Sequence, residues 1–199
     1  MRRIYLDSNI LIAHFAADKA EEPKKKLVQK ALTVLAESKD VEVYTSMWAV
    51  TEMVNILVSH KKMERGLVAE LENQLVNERR LGELKLSACD VSPQPDYDFA
   101  EFFFRVRQGI LKYHSGVGDV IHSVIMKNNR ISEILTFDEK GDFKEIQISR
   151  LFILSPKLIP SFLRLVECSS AQNAIDKEIS SCRSHRNPHR HRQTSSPSF

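Results

Sequence analysis

The chain has 199 residues, of which 42% are hydrophobic, so it is long enough and apolar enough to bury a core. No stretch approaches the roughly 18–20 consecutive apolar residues of a membrane-spanning helix, and the N-terminus enters a strand with no signal-peptide hydrophobic segment. The three cysteines include no C-x-x-C pair, so we expect no disulfide framework and a cytoplasmic protein with no membrane partner. The net charge of +3 comes from residues 180–199, which contain four arginines and no acid or lysine, whereas the rest has 25 basic and 26 acidic residues. The overall charge is therefore no evidence that the body of the protein binds nucleic acid.

Hydrophobic periodicity predicts strands and helices that alternate along the chain. In chain order, the predicted elements are a strand over 3–7, helices over 9–17 and 21–38, a strand over 41–45, helices over 46–60 and 64–80, a strand over 84–91, helices over 99–114 and 119–128, and strands over 133–137 and 146–153. This alternation predicts an α/β fold, a three-layer α/β/α sandwich around a mainly parallel central sheet of about five strands.

The C-terminal region differs in composition from the rest of the chain. We expect residues 1–158 to form one domain and residues 159–179 to form a helical extension, with apolar points at Leu163, Val166, Ile175 and Ile179. Residues 180–199 are rich in Ser, His and Arg, a composition that cannot build a core, so we expect a basic, disordered tail.

Four acidic residues stand in settings that are unusual for acids. Asp7 and Asp138 each directly follow an apolar strand, and ligands of α/β sheets bind at the carboxyl ends of strands. Glu52 interrupts a helix that is apolar around most of its circumference, which predicts a buried carboxylate in need of a partner. Asp119 opens a helix after two glycines, where the helix dipole favours a carboxylate, and Asp142 lies one short loop beyond Asp138.

Each of these acids has a structural interpretation, namely a helix cap for Asp7 and Asp119, an ion pair for Glu52 and an Asx turn for Asp138. Together they favour a site for a hard divalent cation, because Mg²⁺ and Mn²⁺ prefer carboxylate oxygens and need only a few protein ligands. Without a cation, several ionised acids in one cleft would repel each other. We therefore expect Asp7, Glu52, Asp119 and Asp138 to be metal ligands and catalytic residues for Mg²⁺ or Mn²⁺.

Other phosphate chemistries leave no motif in the chain. There is no G-x-x-x-x-G-K-[ST] and no G-x-G-x-x-G, so a nucleotide cradle is unsupported. A phosphatase of the haloacid dehalogenase type would need an aspartate at position 9, where this chain has Asn9.

Four short motifs carry a resemblance to a known family. They are Asp7-Ser8-Asn9-Ile10-Leu11 after a strand, Thr51-Glu52-Met53-Val54-Asn55, Gly118-Asp119-Val120-Ile121-His122 and Leu135-Thr136-Phe137-Asp138. In this order they resemble the PIN domain of metal-dependent ribonucleases, over roughly residues 3–155. The first motif is the most specific of the four.

The resemblance implies a parallel sheet between helices, with the four acids in a cleft that holds Mg²⁺ or Mn²⁺. It also implies supporting residues: Ser8 supplies a hydroxyl next to the first acid, Asn9 helps to hold Asp7, and Thr136 precedes the last acid, with Asp142 as a further supporting candidate. This chain has a serine at position 8, where the family commonly has threonine, and it has a C-terminal segment with no counterpart in the minimal domain. Neither departure removes a metal ligand.

The implied activity is endonucleolytic hydrolysis of RNA, leaving 5′-phosphate and 3′-hydroxyl ends, by a nuclease domain at residues 1–158. Two biological settings remain open. One is the toxin of a toxin–antitoxin pair, resembling virulence-associated protein C, which would form a homodimer and be silenced by a small antitoxin protein. The other is a standalone RNA-processing nuclease. The alternative from a different class is a PIN fold that serves as an RNA-binding or scaffold module without catalysis.

Several weaker signals are best explained structurally. His122 falls three residues after Asp119 on the same helix and could reach the site, although a packed structural histidine is the more common reason for such a residue. The lysines at 24–26 and 61–62 are typical of a solvated helix face rather than of an RNA groove. The histidines of the tail, with a single cysteine, are typical of a flexible basic tail rather than of a zinc site.

Overall fold

A computed structural model describes residues 1–91, 98–138, 150–155, 160–164 and 166. The elements are β1 (Arg2–Leu6), α1 (Ser8–Phe15), α2 (Glu22–Glu37), β2 (Val41–Ser46), α3 (Met47–Ser59), α4 (Arg65–Val76), β3 (Arg80–Leu81), β4 (Leu84–Lys85), β5 (Ser87–Cys89), α5 (Phe99–Tyr113), α6 (Val117–Asn128), β6 (Glu133–Thr136) and β7 (Arg150–Ile153). Residues 160–164 and 166 are helical as well. Asp142 and the tail from 180 lie outside the described residues, and the predicted division at 158/159 and 179/180 stays a prediction.

Five strands form one parallel sheet in the order β5-β2-β1-β6-β7. The consecutive residues Ile4, Tyr5 and Leu6 of β1 are fully buried. Because successive side chains of a strand point to opposite faces, helices must cover both faces of the sheet at its centre. The predicted three-layer α/β/α sandwich with a central sheet of about five strands is confirmed.

The helix boundaries follow from local chemistry. Ser46 accepts a hydrogen bond from the Ala49 N–H at the start of α3, and Asp98 does the same for the Ala100 N–H at the start of α5. α5 ends at Tyr113, and the C-cap residue His114 adopts the left-handed conformation at φ 54°.

Three predicted boundaries are wrong. The strand predicted over 84–91 is divided between β4, which forms a small antiparallel hairpin with β3, and β5, which joins the main sheet. Strands of two residues are too short to show a hydrophobic period, so no periodicity indicated the hairpin. The helix predicted over 64–80 ends at Val76, and the helix predicted to start at Asp119 begins at Val117, so Asp119 lies in the first turn rather than at the cap.

The core extends into the C-terminal residues. Phe162 and Val166 are buried, and the Phe162 ring packs edge-on against the Phe152 ring of β7 at 5.3 Å between centroids. This part of the predicted helical extension is therefore packed against the sheet.

Burial predicts which leucines stabilise the fold. We expect Leu57→Ala, in the buried face of α3, to lower the free energy of unfolding by about 2–5 kcal/mol, because it deletes fully buried methyl groups and leaves a cavity. The matched control is Leu67→Ala in α4, whose side chain is exposed, with an expected change within about 0.5 kcal/mol. Urea denaturation of both variants measures the difference, and equal losses would contradict the assigned core.

Candidate metal centre

Asp7 lies at the carboxyl end of the central strand. Its backbone N–H continues the β1–β6 ladder by donating to the Leu135 carbonyl oxygen at 3.1 Å, and α1 begins at the next residue. The residue is only 5% exposed. The chain thus places a carboxylate at the middle of the sheet edge where parallel α/β folds bind ligands.

Side chains from two strand ends hold one oxygen of the Asp7 carboxylate. Asn9 Nδ2 donates to Asp7 Oδ2 at 2.7 Å, and Thr136 Oγ1 donates to the same oxygen at 2.6 Å. Ser8 Oγ approaches the other oxygen, Oδ1, at 3.4 Å. Asn9 also accepts from the Phe137 N–H at 3.1 Å, which ties the loop after β6 to the start of α1. The structure therefore brings Ser8, Asn9 and Thr136 to Asp7.

Glu52 approaches this centre from α3. The sequence predicted a buried helix, apolar around most of its circumference, and this is wrong for one face, since Thr51 and Asn55 beside Glu52 are exposed. The Glu52 side chain is 27% exposed, so it can reach both the protein interior and solvent. One of its oxygens, Oε1, lies 2.9 Å from the position that a Cβ at residue 118 would occupy. A side chain at position 118 would therefore require the Glu52 carboxylate to move from its observed position.

His122 lies between the two carboxylates, which the sequence analysis did not favour. Its Nε2 is 2.7 Å from Glu52 Oε2 and 3.6 Å from Asp7 Oδ1, and the residue is 2% exposed. Its Nδ1 is 2.8 Å from the hydroxyl of Tyr5, and that hydroxyl is 2.5 Å from Ser46 Oγ. The spacing Asp119-x-x-His122 was the only sequence signal for His122, and nothing in the sequence indicated Tyr5 or Ser46.

The other two predicted ligands lie at the same edge of the sheet. Asp119 is half-buried in the first turn of α6, one turn before His122. Asp138 follows β6, and its backbone N–H donates to Thr136 Oγ1 at 3.0 Å, the hydroxyl that also binds Asp7. Among the described residues, the group of His, Cys, Asp or Glu donor atoms within 4.8 Å of one another consists of Asp7, Glu52 and His122. The assignment of Asp119 and Asp138 as ligands stays a prediction.

The two carboxylates have opposite electrostatic settings. Burial raises the pKa of Asp7, and the attraction of His122 and the Thr136 hydrogen bond only partly oppose this. Burial would also raise the pKa of Glu52, but the hydrogen bond and attraction from His122 outweigh it, so that this pKa lies below its ordinary value. Glu52 is thus stabilised in its ionised form, whereas the ionised form of Asp7 lacks full compensation from the protein.

This chemistry fits a divalent cation. A nearby cation would compensate the cost of ionising the buried Asp7, and it would find carboxylate oxygens from Asp7 and Glu52 close together. Hydrogen bonds from Asn9 and Thr136 already orient Asp7, as outer partners of a metal-ligating carboxylate do.

The fold and this edge of the sheet define the class of protein. The PIN domain family matches residues 4–148, which is most of the chain, and the chain belongs to that family. No curated protein matches it closely enough in sequence to count as a relative.

Two solved structures resemble this chain at low sequence identity. A VapBC2 complex from Rickettsia felis, bound to a DNA fragment from its promoter, is 15% identical with a TM-score of 0.53, over 77% of this chain and 99% of that one. VapC20 from Mycobacterium tuberculosis, a toxin that cleaves the sarcin–ricin loop, is 14% identical with a TM-score of 0.45, over 71% of this chain and 93% of that one. No helix in the described part of this chain is long and apolar enough to cross a membrane.

The raised pKa of Asp7 predicts a pH-dependent stability in metal-free protein. Folding favours the protonated carboxyl, so stability contributed by Asp7 is present at low pH and is lost as the pH rises above the ordinary value of 3.8 and through the raised pKa. Asp7→Asn cannot ionise. The quantity to compare is the free energy of unfolding of Asp7→Asn minus that of the natural chain. We expect this difference to increase from about pH 4 to pH 7 when a chelator keeps both proteins free of metal.

Urea denaturation across this pH range measures the difference. The hydrogen bonds that the variant loses do not depend on pH, so they do not change how the difference in unfolding free energy varies with pH. Glu52 is present in both proteins, so its contribution cancels from the difference. A difference that stays constant with pH would contradict the uncompensated burial of Asp7.

Proposed function

We propose that this protein is a metal-dependent endoribonuclease of the PIN family. The observation that carries the proposal is the buried carboxylate of Asp7, held by Asn9 and Thr136 at the centre of the sheet edge and facing Glu52. Membership of the PIN domain family supports metal-dependent RNA cleavage as well. A scaffold would gain nothing from an acid whose ionisation opposes folding.

We assign Asp7, Glu52 and Asp119 as the main ligands of Mg²⁺ or Mn²⁺, with Asp138 supporting the ion or orienting water. Bound there, the cation would activate a water molecule and stabilise the charge that develops on the phosphodiester. Asn9 and Thr136 keep Asp7 Oδ2 in one orientation, and Ser8 adds a hydroxyl beside Oδ1. The products would be a 5′-phosphate and a 3′-hydroxyl, as the PIN resemblance implies.

Removal of a ligand carboxylate should abolish cleavage. We expect Asp7→Asn and Asp119→Asn to lower the rate of Mn²⁺-dependent cleavage of an RNA library by more than about a hundredfold, because even outer partners of metal ligands cost 10–100-fold when mutated. The fold should persist by circular dichroism. Asp90→Asn, an exposed aspartate after β5, is the matched control and should cleave normally.

Calorimetry separates loss of the ion from loss of the fold. Glu52→Gln should weaken Mn²⁺ binding, whereas Glu70→Gln on the exposed face of α4 should leave it unchanged. Full cleavage by Asp7→Asn or Asp119→Asn would rule out the assigned site. Mn²⁺ binding by the natural chain without cleavage of any RNA would instead favour the RNA-binding or scaffold alternative.

We propose the toxin of a toxin–antitoxin pair as the biological setting, in the cytoplasm. The PIN resemblance to virulence-associated protein C supports it, and the Rickettsia felis complex with the same fold is a VapBC assembly. In this setting the partners are RNA as substrate, a small antitoxin protein and a second copy of the chain in a homodimer.

Growth assays test this setting. We expect induced expression in a bacterial host to stop growth, and co-expression of a short antitoxin gene adjacent to this one to restore it, because the antitoxin would block the cleft. Asp7→Asn is the control that should not stop growth. Normal growth on expression of an actively cleaving protein would favour the standalone RNA-processing nuclease.

A further inference from the structure

A line of buried polar groups connects the start of α3 to Glu52 in the middle of the same helix. It runs from Ser46 to Tyr5 in β1, then to His122 in α6, and ends at Glu52. The three contacts measure 2.5, 2.8 and 2.7 Å, and Ser46, Tyr5 and His122 are all buried. Four elements of the fold, β2, β1, α6 and α3, are thus joined through side chains.

The chemistry of each group determines which atom donates and which accepts along this line of hydrogen bonds. An ionised carboxylate can only accept, so the 2.7 Å contact requires a hydrogen on His122 Nε2. When the imidazole is neutral, Nδ1 then has a lone pair and accepts from the Tyr5 hydroxyl at 2.8 Å. When the imidazole is charged, both ring nitrogens donate, and Nε2–H still donates to Glu52. The Tyr5 oxygen can accept from the Ser46 hydroxyl, whose oxygen in turn accepts from the Ala49 N–H at 3.2 Å.

The hydrogen bond from His122 orients the Glu52 carboxylate. His122 engages Oε2, while Oε1 lies on the side where Gly118 leaves space. A partly exposed glutamate can adopt many rotamers, and the hydrogen bond from the buried His122 ring favours one of them. An apolar residue at position 122 would fill the same volume but leave both the Tyr5 hydroxyl and Glu52 Oε2 without this partner.

We propose that His122 is a positioning residue: its Nε2–H holds Glu52 in the orientation that binds the cation, and Tyr5 with Ser46 fixes the tautomer that carries this hydrogen. The inference rests on the proposed function, since it concerns how Glu52 serves as a ligand. His122 touches neither RNA nor the reacting phosphate in this assignment. It acts through Glu52 and, at 3.6 Å, beside Asp7.

Two pairs of substitutions test the proposal. His122→Gln keeps an amide N–H where Nε2–H stands, whereas His122→Leu removes it. Tyr5→Phe removes only the hydroxyl that fixes the tautomer, and Tyr44→Phe is its matched control, since Tyr44 pairs with Tyr5 across the β1–β2 ladder and donates to Glu42 outside the site.

The first readout is Mn²⁺ affinity by calorimetry. We expect His122→Leu to weaken binding about 10–100-fold, Tyr5→Phe to weaken it by a smaller factor, and His122→Gln and Tyr44→Phe to bind like the natural chain. Cleavage should lose kcat in the same order while KM for RNA stays constant, because no substrate contact is removed. A merely structural histidine would change thermal stability in both position-122 variants without ranking their Mn²⁺ affinities.

The second readout is the tautomer itself. Nitrogen-detected NMR of the histidine rings at about pH 8 should show His122 protonated at Nε2 in the natural chain and a mixed population in Tyr5→Phe. Protonation at Nδ1 alone, or equal Mn²⁺ affinity in His122→Leu and His122→Gln, would overturn the proposal. Mn²⁺ binding in the expected order without RNA cleavage would overturn the proposed function and leave the positioning of Glu52 standing.

Discussion

The burial of one carboxylate at the end of the central strand constrains the rest of this structure. Asp7 is nearly inaccessible, and burial raises its pKa, so the protein must orient and partly compensate it. The hydrogen bonds from Asn9 and Thr136 do so on one side, and they join the start of α1 to the end of β6. These contacts fix the relative positions of the two strand ends that carry Asp7 and Thr136.

The opposite side of Asp7 is compensated differently. His122 approaches Oδ1 at 3.6 Å but makes its short contact, 2.7 Å, with Glu52. The protein therefore stabilises the ionised form of Glu52 and leaves Asp7 short of positive charge. A cation between such carboxylates would remove this imbalance, which is the physical link between the stability of the fold and the proposed chemistry.

Local patterns singled out the four acids in the sequence: Asp7 and Asp138 follow apolar strands, Asp119 lies at a helix start, and Glu52 interrupts an apolar helix. The same locality explains the errors. The β3–β4 hairpin has strands of two residues, too short for a period. The helix α3 is apolar overall, but Thr51, Asn55 and Ser59 share one face of it and are exposed. Exposure depends on what packs against a helix, and composition alone does not contain that information.

The sequence by itself determined the alternation of strands and helices and the parallel α/β class, since these follow from periodicity. Ser8, Asn9 and Thr136 were singled out by the resemblance to the PIN domain, and the structure brings all three to Asp7. Only the tertiary structure decided that His122 lies between Asp7 and Glu52 and contacts Tyr5, whose hydroxyl also contacts Ser46. Tyr5 and His122 are 117 residues apart in the chain. Their contact depends on how α6 packs over β1, which no local pattern specifies.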